Sequence, residues 1–208
     1  MLRTLIGLVV FCVLLGGLSF LGFVGTASSA LDPQDLRILQ AVPRQPIHQS
    51  MSVGQAYRAI PHEQVTFRAN TSSLAAPEAA YLGTLFSLVD LAVVERVQLL
   101  LRVREKAVER MHFDNYDQIL KRLADLSIPA GLEPLHHHVM VSIMEEKEFF
   151  QEQVAQSFLA NLHRWHPLVQ KSHRRLVAAY QFLMARYPQE FSRNQVAFFQ
   201  HLCALDFI

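Results

Sequence analysis

Apolar positions along this chain change spacing twice, and the three regimes divide it. From Leu5 to Val24 the residues are apolar, broken only by scattered glycines, Cys12 and Ser19. Residues 31–76 show no sustained periodicity and contain Pro33, Pro43, Pro46 and Pro61. From Pro77 onward the spacing is helical. Leu82, Leu85, Phe86, Val89, Ala92, Val93, Leu100 and Val103 form one stripe, and Ser87, Glu95, Gln98, Arg102 and Glu109 trace the opposite, solvent-facing side. Residues 82–94 are apolar nearly all round, which predicts a central position for that part of the helix.

Four more helices follow by the same reasoning. One starts after Asp114 as its cap, carries Tyr116, Ile119, Leu120 and Leu123, and ends before Pro129-Ala130-Gly131. The next runs from near Pro134 towards Trp165 on a stripe of Val139, Met140, Ile143, Phe150, Val154, Phe158, Leu162 and Trp165, with Glu145, Glu146, Glu148 and Glu152 in solvent. Pro167 opens a helix with Val169, His173, Leu176, Tyr180 and Leu183 on one side, closed by Tyr187-Pro188. Ser192 and Gln195 match a capping box for the last helix, with Val196, Phe199 and Leu202. Earlier, Ser52 caps a short helix reaching Tyr57 and stopped by Ile60-Pro61. No alternating strand pattern competes. The expected fold is all-α, an up-and-down bundle of four or five helices over residues 77–208, preceded by an extended arm over 31–76 that is draped on the bundle or trails from it.

Residues 1–30 have the layout of a secretory signal: Arg3, then the apolar run, then Thr26-Ala27-Ser28-Ser29-Ala30. Ser28 and Ala30 occupy the small-residue positions for cleavage before Leu31. The apolar run is about as long as a membrane-spanning helix, so a retained anchor is the second reading. Gly16-Gly17 and Gly22 weaken that helix. As an anchor, residues 5–24 would hold the chain in the membrane, with Arg3 keeping the N-terminus cytoplasmic. Both readings place the main domain outside the cytoplasm, in a periplasmic or other extracytoplasmic space. Phe11 is too bulky to precede a lipid-modified Cys12, and removal of the leader would leave only Cys203.

Charge narrows the partners. Arg3 is one of 19 basic residues and all 18 acidic ones lie beyond residue 30, so the remainder is balanced. A balanced domain lacks the electrostatic footprint of a nucleic-acid binder. The ten histidines are the only concentration of versatile chemistry. His136-His137-His138 are consecutive, and adjacent helical residues point about 100° apart, so they do not converge on one ion. Glu109-x-x-His112 and Glu133-x-x-His136 have the carboxylate–imidazole spacing of helical metal sites, yet both fall at helix ends, where solvation is expected. His163, His166 and His173 flank the break at Pro167 without a carboxylate or thiolate at diagnostic spacing; His173 is expected to be hydrogen-bonded in the core. No metal or cofactor is assigned, and His112, His136, His163, His166 and His173 remain the metal candidates.

Asp90 stands out as one acid in a long uncharged stretch, so it is expected to be buried and hydrogen-bonded. The phosphate-binding glycine loop, the Gly-x-Ser-x-Gly elbow, His-Glu-x-x-His and Cys-x-x-Cys-His are all absent, so no catalytic residue is assigned. The apolar end, Leu202 to Ile208, either docks on the helices or forms a patch for a partner. The leading functional expectation is a non-enzymatic exported helical domain of the cell envelope, acting through protein–protein contact or self-association. The alternative is a metal- or cofactor-binding bundle using His and Glu side chains from several helices.

Overall fold

The computed structural model of the chain describes residues 33–60, 62–105, 108–155 and 166–206. The signal or anchor segment, Phe158, Leu162, His163 and Trp165 lie outside the described residues. The described part is all-α, as the spacing predicts. Its helices are α1 (Pro33–Ala41), α2 (Val53–Ala59), α3 (Ala76–Glu105), α4 (Arg110–Ala124), α5 (Glu133–Ala155), α6 (Pro167–Arg186) and α7 (Ser192–Leu205), with a 3-10 turn at Ala69–Thr71. Among the described residues, no helix is long and apolar enough to cross a membrane.

The helix α3 is the hub. It packs against α2, α4, α5, α7 and the 3-10 turn, while α5 pairs extensively with α6 and α6 with α7. The all-apolar stretch sits centrally as read: Leu82, Leu85, Val89, Ala92, Val93 and Val94 are fully buried. Burial then continues where the sequence implied solvent. Every residue from 92 to 99 is buried, including Glu95, Arg96 and Gln98. Within this stretch no face reaches water, so the polar side chains turn to protein partners.

Two other expected solvent positions are corrected in the same way. Glu145 and Glu146 are buried, while Glu148 is exposed and Glu152 half-buried. Glu145 faces α6, where the Arg175 Nε–H lies 3.1 Å from each carboxylate oxygen. The helix α4 also begins earlier than predicted: Glu109 occupies the cap position in place of Asp114, which is an exposed residue within the helix. At α7 the cap is Phe191, with no side-chain bond; the Gln195 amide turns back to the carbonyls of Tyr187 and Pro188 instead of closing a capping box. The Ser52 box on α2 does form. Ser52 Oγ accepts from the Gln55 N–H, and Gln55 Oε1 accepts from the Ser52 N–H.

The segment between α1 and α2 lies on the helices. Leu39 is buried, and α1 packs on α4. At the other end, Leu202, Ala204 and Leu205 are buried as α7 packs against α3 and α6, so this part of the apolar C-terminus docks inward.

The connection from α4 to α5 depends on Gly131, whose φ of +81° lies in the left-handed region. A Cβ there would come within 2.9 Å of Arg186 Nη1. The same guanidinium donates to Ala130 O at 3.3 Å and to Glu78 Oε1 at 2.7 Å. Gly131→Ala should therefore destabilise the fold by about 1–2 kcal/mol. Urea unfolding reads this directly, and an unchanged midpoint would show that the loop has another conformation open to it.

Candidate functional site: buried polar pairs around α3

Asp90 lies where α2, α3 and α7 meet. Its Oδ1 accepts from the Tyr57 hydroxyl at 2.7 Å and lies 2.7 Å from His201 Nδ1. On the other side of the ring, His201 Nε2 faces the Phe67 N–H at 3.4 Å. This pattern fits the tautomer with Nδ1 protonated, donating to Asp90 while Nε2 accepts. The ring stacks on Phe86 at 4.6 Å between centroids. Burial, and then the Asp90 charge, push the Tyr57 hydroxyl well above the usual phenol range. A carboxylate orienting an imidazole is the arrangement of a general base, but a base must also reach the proton it removes. Here a main-chain N–H holds Nε2, so the cluster ties three helices to the segment before the 3-10 turn. The sequence points to Asp90 but not to its partner His201, which lies 111 residues away along the chain.

One turn or so further along α3, Glu95 is fully buried. Its Oε2 lies 3.1 Å from His112 Nδ1 on α4. Its Oε1 accepts from Asn115 Nδ2 at 3.0 Å and from Gln49 Nε2 at 3.1 Å. Asn115 also holds the extended segment that precedes α2. Its Nδ2 donates to His48 O at 2.7 Å, and its Oδ1 accepts from the His48 N–H at 3.2 Å. One turn along α4, Gln118 repeats the device: Nε2 donates to Pro43 O and Oε1 accepts from the Gln45 N–H, both at 2.8 Å. Arg122 adds a 3.4 Å bond to Gln45 O. Residues 115, 118 and 122 are spaced to share one helical face.

A third set links α5 to α3 and α4. Glu146 is fully buried; its Oε2 accepts from the Tyr116 hydroxyl at 3.5 Å, whereas Oε1 has no hydrogen-bond partner among the described residues. Burial pushes the Glu146 carboxyl well above the usual carboxylate range, against the pull of the Arg96 charge. Arg96 Nη2 in turn donates to Ala204 O at 2.6 Å and fastens the end of α7 to α3.

Among the described residues, the candidate histidines His112, His136, His166 and His173 do not converge. His112 and His136 are buried, contrary to the solvated helix ends expected for them, while Glu109 and Glu133 are exposed. Each Glu-x-x-His pair is split, because the imidazole has a polar partner on α3 and the carboxylate stays at the helix entrance. For His136 that partner is the Tyr81 hydroxyl, 2.9 Å from Nδ1. Burial, and then the neighbouring His137, lower the His136 pKa to about 4. His166 is half-buried and caps α6, accepting from the Leu168 N–H at 3.3 Å, with Nε2 3.2 Å from Glu152 Oε2. His173 is hydrogen-bonded, as expected, though only half-buried: it pairs with Asp206 beyond α7, and that bond raises its pKa. Among the described residues, no three His, Cys, Asp or Glu side chains are grouped to hold a metal.

The Glu95–His112 pair predicts strong non-additivity. Replacing either residue with Leu should cost about 3–5 kcal/mol, because the remaining polar group is buried alone. The double replacement should cost distinctly less than the sum. A double-mutant cycle in urea checks this, and additive losses would show that the pair is not energetically coupled.

His136 and Glu146 predict opposite responses to pH. As pH falls from 6.5 towards about 4, the unfolded chain takes up the His136 proton before the folded one does, so stability is lost by up to roughly 3 kcal/mol. Glu146 stays protonated in the fold at pH values where the unfolded chain has ionised, so its contribution falls as pH rises above 4.5. His136→Gln should flatten the acid side of the stability profile. Glu146→Gln should be at least as stable as the parent at pH 7, an advantage that disappears towards pH 4. Urea midpoints across that range test both signs. No protein-family model matches this chain, and neither curated proteins nor solved structures yielded a match to it.

Proposed function

We propose that this chain is an exported helical domain of the cell envelope that works through protein–protein contact or self-association, with α3 to α7 arranged as an up-and-down bundle. The observation that carries the reading is the surface at the start of α7. Phe191 is 59% exposed there, Val196 is 42% exposed, and Arg68, Thr71, Arg193 and Asn194 border the same open depression as Phe191. An aromatic ring beside arginines is the composition enriched at binding hot spots. The Phe191 carbonyl closes the first turn of α7, accepting from the Asn194 and Gln195 N–H groups, but its ring is not buried. The burial of Leu202 and Leu205 moves the expected contact face from the C-terminal residues to this one. Export rests on the Arg3, apolar and small-residue order of residues 1–30.

A photo-crosslinking side chain at position 191, in the cells that make the protein, tests the reading. The expected adduct contains either a second copy or one recurrent partner. Phe191→Ser should weaken that association about tenfold or more without loss of helical circular dichroism. No adduct, together with a chain that sediments as a monomer at every concentration, would sink the proposal.

A further inference from the structure

We propose that the open depression at the start of α7 docks an acidic segment of another protein, with an apolar side chain of that segment covering Phe191. This inference rests on the reading of the Phe191 face as a contact surface, and it names the chemistry of what that face contacts.

The two walls of the depression are fastened to each other. One is the 3-10 turn with the residues around it, and the other is the first turn of α7. Asn194 joins them: its Oδ1 accepts from the Arg68 N–H at 3.0 Å, and its Nδ2 donates to Arg68 O at 3.4 Å. Glu190 joins them again. Its Oε2 accepts from the Ser72 and Ser73 hydroxyls at 2.9 and 2.7 Å and from the Ser73 N–H at 3.0 Å, while Oε1 accepts from Asn194 Nδ2 at 2.7 Å. Asn194 and Glu190 are buried, whereas Arg68, Thr71, Phe191 and Arg193 are exposed. The frame thus holds Arg68 and Arg193 at one recess before a partner arrives, and a preorganised surface loses less freedom on binding.

The charge around this recess is one-sided. Residues 64–76 and 192–205, which supply both walls, contain no Asp or Glu. Among the described residues, neither the Arg68 nor the Arg193 guanidinium has a hydrogen-bond or ion-pair partner. Glu190 offsets one of the two positive charges, but its oxygens are turned to donors within the frame. A partner therefore meets two guanidinium groups beside an aromatic ring. Carboxylates answer the first by charge-assisted, bidentate bonds, and an aliphatic or aromatic residue answers the second.

Other occupants fit less well. Two arginines fall short of the roughly four to eight basic residues by which a cluster holds an anionic bilayer. They fall equally short of the run of phosphate contacts that holds a nucleic acid. A second copy presenting the same face would set Arg68 and Arg193 against their own counterparts, because a two-fold contact is self-facing and like charges oppose it.

The test places the photo-crosslinking side chain at position 191 of the full chain, in the cells that make the protein. Arg68 and Arg193 are changed together to Lys, to Gln or to Glu. Adduct yield should stay near the parent's with Lys, fall several-fold with Gln and fall about tenfold or more with Glu. Helical circular dichroism and urea midpoints should not change, and Arg174→Glu, an exposed reversal on α6, should leave the yield intact. If the Glu pair fails to fold, the Lys and Gln pairs still decide the outcome. Mass spectrometry of the adduct should find the attachment point on another protein, with an excess of Asp and Glu within a few residues of it. A yield indifferent to this series, or an attached segment that is neutral or basic, would overturn the inference and leave the Phe191 contact standing. Attachment to a second copy of this chain would overturn it in favour of self-association, and attachment to lipid or nucleic acid would overturn it as well. Absence of any adduct from the parent chain would sink both readings together.

Discussion

The structure turns on the enclosure of α3. Residues 92–99 are buried throughout, and the three polar side chains among them draw partners from the surrounding helices and the arm. Glu95 requires His112 from α4 and Gln49 from the arm; Gln98 receives the Ser50 hydroxyl at 3.1 Å; Arg96 requires the end of α7. Asp90, one turn earlier, requires Tyr57 and His201. These demands recruit α2, α4, α7 and the arm to one helix. Apolar packing alone tolerates rotation and sliding of one helix on another. A buried carboxylate with named donors does not, so the polar contacts select one arrangement among the many that the apolar stripes allow.

The selection has an electrostatic consequence. The interior holds imidazole and carboxyl groups whose burial favours their neutral forms, and these respond to pH with opposite sign. His136 opposes acidification, whereas Glu146 opposes ionisation as pH rises. Nearer the surface, hydrogen bonding to Asp206 favours the charged form of His173, which strengthens the tie between α6 and the end of α7 in mild acid. The shifted histidines therefore do not respond as one group: burial first of all lowers His136, His137 and His138, whereas the bond to Asp206 raises His173.

The fold class was legible because helical periodicity is a local property, written within a few turns of chain. The central place of residues 82–94 was legible for the same reason, and Asp90 stood out as the one charge within them. Burial of Glu95, Gln98, Glu145 and Glu146 was not, because an amphipathic pattern assigns polar residues to water unless a distant partner is known. The relevant partners are remote: Asp90 and His201 are separated by 111 residues, and Glu145 and Arg175 by 30. The early start of α4 was missed for a related reason. Asp114 is a good local cap, yet starting at Arg110 places His112 and Asn115 on Glu95, a tertiary gain that local propensity does not register.

The arm shows how far the same constraint reaches. By composition, residues 31–76 read as linker, since prolines and absent periodicity are the marks of chain that does not pack. Yet Gln49 is one of the three donors on a fully buried carboxylate, so the arm belongs to the interior's hydrogen-bond accounting. Its prolines suit that role: an extended segment with fewer N–H groups presents its remaining ones to the α4 amides without forming turns of its own. Apolar anchors reinforce that hold: Leu39 lies in the core, and Ile47 and Met51 pack against it. The same segment thus contributes both apolar packing and one of the donors that Glu95 needs. A fold built in this way links the state of its surface arm to the satisfaction of its centre.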